Sequence, residues 1–105
     1  RKVVIDAATI EGGNLRIRGW SADTGEKVPP ESMLVFFGDQ LAYEGPPNLE
    51  RTDVPQWFDS EDLAMSGFEI LVPVADIPPE AQRVTVVGAF SSDAVLEYAT
   101  IASDR

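Results

Sequence analysis

Asp59, Glu61 and Asp62 are the acids best spaced to act together, and three clustered carboxylates could hold a calcium ion. Calcium takes about six to eight oxygen ligands, and an EF-hand loop needs acids at alternating positions with a glycine at the sixth. The spacing here lacks that pattern. Ser60 ahead of Glu61 and Asp62 also suits a solvated helix start, which needs no metal. That is the expected role, and no metal site is assigned. A pair of carboxylates could instead hydrolyse a glycoside, across a cleft and with one acid held protonated by burial. With 18 acids in 105 residues, pairs are abundant and select nothing.

Histidine and cysteine are absent. No Ser-His-Asp or Cys-His nucleophile, CxxC redox pair, or thiolate or imidazole zinc site can form. No GxSxG, Walker A or GxGxxG motif is present. The expectation is a protein that is not an enzyme and carries no cofactor.

Recognition residues are easier to find. Trp57 and Phe58 lie in an irregular, acidic stretch, where loop aromatics could contact a ligand or protein, or cover the open end of a core. Trp20 could stack on a sugar or fill the space between two sheets, and the second is expected. Arg51 and Asp53 alternate, so an extended segment places both on one side. They could form a clasp for a partner or an internal ion pair that pins the connection. These five residues are the candidate ligand- or partner-binding set.

The net charge is −10, with Lys2, Lys27 and six arginines as the only bases. Binding to a nucleic-acid duplex needs Lys and Arg to displace phosphate counterions. No nucleic-acid partner and no anionic membrane surface are expected. Seven acids fall between residues 39 and 62 against Arg51 alone, a local net of −6. No run approaches the roughly 20 apolar residues that span a bilayer. The chain opens Arg1-Lys2 without a signal peptide, as expected of a mature protein or a domain cut from a longer one.

Strands must position these residues. Val, Ile, Thr and aromatics number 31, and Leu, Ile, Val and Phe number 29, enough for a folded core. Turn signals recur at Gly12-Gly13-Asn14, Asp23-Thr24-Gly25, Gly38-Asp39, Gly45-Pro46-Pro47, Pro78-Pro79 and Ser91-Ser92-Asp93. Strands are expected over 3–10, 15–19, 33–37, 41–44, 67–72, 83–90 and 95–101. One short helical turn is expected near 60–65. Leu15 and Ile17 point inward by alternation. Trp20 falls on the other face unless a bulge at Gly19 turns it in, and that bulge is expected. The run 33–37 is nearly all apolar and should be covered on both faces. One domain spans residues 1–105, an all-β antiparallel sandwich of seven to eight strands.

The pattern Gly13 to Asp23 (GNLRIRGWSAD), an apolar strand ending in Gly38-Asp39, Arg51-Thr52-Asp53-Val54, Ser66-Gly67-Phe68 and the Val-Val-Gly-Ala strand 86–89 resembles a known layout. It is similar to the Ig-like or fibronectin III-like sandwich modules appended to bacterial envelope proteins, some beside membrane glycosyltransferases. The resemblance covers about residues 3 to 101. Thr52 stands where that group carries proline. The disulfide of antibody domains is missing, and the Trp sits on the second strand. The resemblance implies a non-catalytic accessory module, periplasmic or extracellular. Its partner would be a neighbouring domain of the same polypeptide or an envelope protein. The alternative is a carbohydrate-binding module that grips polysaccharide with loop aromatics.

Overall fold

In the computed structural model, which describes residues 1–103, Gly12 and Gly13 take φ of 57° and 83°. Positive φ at both central residues is what a two-residue hairpin turn requires. The turn joins β1 (Lys2–Glu11) to β2 (Asn14–Ala22). Gly38, at φ 63°, sits in the turn between β3 (Ser32–Phe37) and β4 (Gln40–Gly45). β5 (Gly67–Pro73), β6 (Arg83–Ala89), β7 (Ala94–Thr100) and the two-residue β8 (Ala102–Ser103) follow. One sheet has the order β5-β2-β1-β8, the other β4-β3-β6-β7. All pairs are antiparallel except β1 with β8. The chain thus leaves the second sheet after Thr100 and stitches itself to the first.

The inner faces hold the main core. Leu15, Ile17, Phe68, Ile70 and Val72 come from the first sheet, and Met33, Val35, Val84 and Val86 from the second; all are buried. Each contributes on the order of 1.5–3 kcal/mol by leaving water. This is the expected antiparallel sandwich, with the inward residues of β5 and β6 as alternation requires.

Three local features depart from expectation. First, β2 carries no bulge. It runs in register along β5, with Gly19 opposite Phe68 and Trp20 opposite Gly67. The irregularity lies on β1 instead, where Asp6 is the extra residue between the pairs Ile5–Gly19 and Ala7–Arg18. Trp20 therefore keeps its alternation and stays on the outer face, away from the space between the sheets. Gly19 is needed for a different reason: its missing side chain makes room for the Phe68 ring. A Cβ there would meet Phe68 Cζ at 2.8 Å and collide with the Val4 carbonyl oxygen.

Second, a helix, α1 (Asp53–Phe58), occupies part of the stretch expected to be irregular. Pro55 does not prevent it, because the first-turn N–H groups of a helix lack intrahelical partners anyway. Asp59 ends it in the left-handed region, at φ 51°. The expected turn follows as a 3-10 turn over Glu61–Leu63, although Ser60 makes no side-chain cap bond. Third, β3 is covered on one face only. Met33, Val35 and Phe37 are buried, whereas Leu34 and Phe36 remain half-buried on an open outer face. β3 is interior to its sheet, and its apolar run reflects that position rather than a second covering layer.

Gly19→Ala should destabilise the protein by about 3 kcal/mol, the upper range for forcing volume into a packed site. Urea denaturation measures it. A loss below about 0.5 kcal/mol would mean that β1 yields at Val4 without cost.

Candidate functional site

Two surfaces present chemistry to solvent. The first is the strap that crosses the outer face of the first sheet. Trp20 and Ala22 on β2 are buried there beneath Val54 of α1 and Leu63 of the 3-10 turn, with Val4 and Phe58 packed alongside. Trp20 is only 5% exposed. It lies under two rings, Phe58 at 5.8 Å and 53° and Trp57 at 6.1 Å and 57°, centroid to centroid. Tilted pairs of this kind contribute about 0.5–1.5 kcal/mol beyond area burial. Trp57 itself is 59% exposed. Trp20 cannot stack on a ligand, whereas Trp57 can.

Arg51 ties the strap down. Its Nε and Nη2 donate to Asp53 Oδ1 and Oδ2 at 2.9 and 2.6 Å, a bidentate pair at the start of α1. Its Nη1 donates to Asp6 Oδ2 at 3.0 Å. Asp6 is the extra residue of the β1 bulge, two positions after Val4, which packs on the same outer face. The Arg51 backbone N–H donates to Ala64 O at 2.7 Å, closing the strap on itself. Hydrogen bonding from Arg51 holds the Asp53 carboxyl below the usual aspartate range, although partial burial opposes it. The same bond, then the bond to Asp6, raises the Arg51 guanidinium. Arg51, Asp53, Trp57, Phe58 and Trp20 are thus brought together around one strap. The Arg51 guanidinium is mostly covered, whereas Asp6, Asp53 and the Trp57 ring keep solvent exposure.

Around the strap, Asp59, Glu61, Glu50 and Gln56 border a polar depression with Arg51 and Thr52. Among the described residues, no group of three or more acids converges as metal ligands would.

The second surface is the outer face of β4-β3-β6-β7. Register sets Leu34, Val87 and Leu96 in one row across three strands, and Phe36, Thr85 and Tyr98 in the next. Leu96 is 52% and Tyr98 48% exposed, and Leu41 extends the second row at its β4 end. Arg83 lies over the Tyr98 ring at 4.6 Å, and Asp39 stands at the same end. The first row ends at Glu44 on β4, so the apolar part of this face is bordered by Glu44, Arg83 and Asp39. None of the candidate residues from sequence lies on it. The signal was there in β6, whose Thr85, Val87 and Ala89 alternate with the core residues without a charge among them.

Most of the described arginines are already engaged. Arg16 contacts Glu69 at 2.6 Å, Arg18 contacts the same carboxylate at 3.3 Å, and Arg1 contacts Asp93 at 2.9 Å and Asp23 at 3.1 Å. Asp23 also accepts the N–H groups of Glu26 and Gly25, and the Glu26 bond is the main cause that lowers its proton affinity. Little positive charge is left to hold a polyanion.

Comparison with family models, with curated proteins and with solved structures gives no match. The site's chemistry must be read from its own geometry.

Arg51→Ala should cost about 1 kcal/mol at pH 7, the usual ceiling for a solvent-accessible pair. The folded Asp53 binds its proton less readily than the unfolded one, so the pair's contribution is complete above the ordinary aspartate value of 3.8 and is lost as pH falls below it. Urea denaturation of both proteins between pH 7 and pH 3 should show the gap closing in acid. A gap that stays constant would mean that Arg51 acts through its packing alone.

Proposed function

We propose that this chain is a non-catalytic interaction module of a bacterial envelope or secreted protein. It presents one rigid sandwich face to a neighbouring domain of the same polypeptide or to an envelope partner. The observation that carries this reading is the apolar outer face of the second sheet, with Leu96 and Tyr98 exposed and Leu34, Phe36 and Val87 half-buried, on a chain of net charge −10. A face with so few charges and aromatic anchors has the composition of an interface centre. The strand order, with three long strands in one layer and four in the other, supports an Ig-like or fibronectin III-like assignment. The envelope location comes from the sequence resemblance. Among the described residues no helix is long and apolar enough to cross a membrane.

The second reading is carbohydrate binding, favoured by Trp57, an exposed ring on a short helix that packs against Trp20. A preorganised flat ring loses little freedom on binding a sugar face.

The two readings separate cleanly. A photo-reactive benzophenone side chain at position 96 should form one defined adduct in cells of the source organism, and the same group at Leu71, on the other sheet, should not. No adduct at 96, or turnover of a glycoside or ester by the purified chain, would overturn the module reading. Carbohydrate binding predicts a saturable change in Trp fluorescence on adding polysaccharide, lost in Trp57→Ala. If a broad glycan panel leaves the emission unchanged, that reading is wrong.

A further inference from the structure

We propose that the open edge of β4 accepts an extended peptide as an added strand. The other margins of the sandwich are partly occupied. On β5, the Asn48 side chain imitates a strand: its Nδ2 donates to Glu69 O at 2.9 Å and its Oδ1 accepts the Glu69 N–H at 2.8 Å. Leu49 bridges Gly67 just before it, and Pro73 ends the strand. β1 carries β8. β7 lies against β1 at the corner, and its chain passes directly into β8.

β4 is treated differently. Its backbone pairs with β3, and among the described residues no loop donates to or accepts from its outward side. An edge strand leaves a row of N–H and C=O groups facing out at fixed spacing. Another extended backbone matches that row, and a sugar or small ligand does not. The occupant is therefore a polypeptide.

Beside this edge runs a groove. Leu41 and Ala42 form one wall, and Asp76, Ile77 and Pro78, from the connection between β5 and β6, form the other. Strand side chains alternate, so an added peptide would send every second residue against Ile77 and Pro78. Among the described residues Asp76 is the one charge lining the groove, so the complementary peptide alternates apolar with basic residues. A bulge at Ala42 breaks the register between Tyr43 and Leu41 and limits regular pairing to a short stretch. Binding should be short and of modest affinity, as in a transient contact. This inference rests on the interaction-module reading but uses a different surface.

The test uses capped hexapeptides in which Val, Ile or Leu alternates with Lys or Arg, titrated into the isotope-labelled 105-residue chain. Amide shifts should be confined to residues 40–45 and 75–78, with slowed hydrogen exchange at the outward amides of β4. The same peptides methylated at every backbone amide should bind at least about tenfold more weakly, since two or more ladder bonds are lost. Asp76→Asn should weaken binding of the basic peptides several-fold. No shift in β4 at millimolar peptide, or equal binding of the methylated set, overturns the proposal. Shifts at Leu34, Val87 and Leu96 instead would also overturn it, while leaving the outer-face reading intact.

Discussion

Side chains on a strand alternate between faces, so β2 cannot send Ile17 and Trp20 to the same side. Ile17 enters the space between the sheets, and Trp20 must be hidden elsewhere. That requirement organises the least regular stretch of the molecule, between β4 and β5. It demands a cover on the outer face of the first sheet, and the chain supplies α1 and the 3-10 turn. Their apolar residues, Val54 and Leu63, are fully buried against Trp20 and Ala22. The result is a second, smaller core on the far side of a sheet from the main one.

A cover this short cannot hold itself in place. A six-residue helix is far below the length at which helices persist alone. Burial of Val54 and Leu63 provides the energy, and Arg51 provides the geometry. Its fork fixes the start of α1 through Asp53 and the sheet through Asp6. The clasp meets β1 at its bulge, where Asp6 accepts from Arg51. Exposure of Trp57 follows from the same arrangement. The strap spends its apolar residues on Trp20, and the outermost ring is left to water.

The rest of the surface divides along the two sheets. On the first, Arg16 and Arg18 share the Glu69 carboxylate, and Glu11 stands 3.8 Å from Arg16. On the second, no loop or helix among the described residues covers the face, and Leu34, Val87 and Leu96 stand in a row. One sheet is covered on its outer face by the strap, and the other has an apolar outer face with Leu96 and Tyr98 exposed. The edges show the same contrast: Asn48 closes β5 with a side chain, whereas β4 keeps its backbone groups free.

The hairpins at Gly12-Gly13 and Gly38, the inward sets Leu15/Ile17 and Phe68/Ile70/Val72, and the sandwich class were legible in the sequence. Each depends on a two-residue period or on a turn residue's own backbone freedom, and both are local. The missing imidazole and thiol chemistry was equally legible, because composition sets it. Tertiary structure alone decided where Trp20 goes. A glycine in a strand signals either a bulge or a close approach, and only the Phe68 ring opposite Gly19 selects the second. The helix at Asp53–Phe58 was hidden for a similar reason: Pro55 reads as a breaker until the tertiary cover over Trp20 places it in a first turn. Asp6 gave no sign of its role, since the partner that defines it is 45 residues away. The apolar outer face was written in the alternation of β6, but whether such a face is covered depends on which elements pack there, and that is a property of the assembled layers.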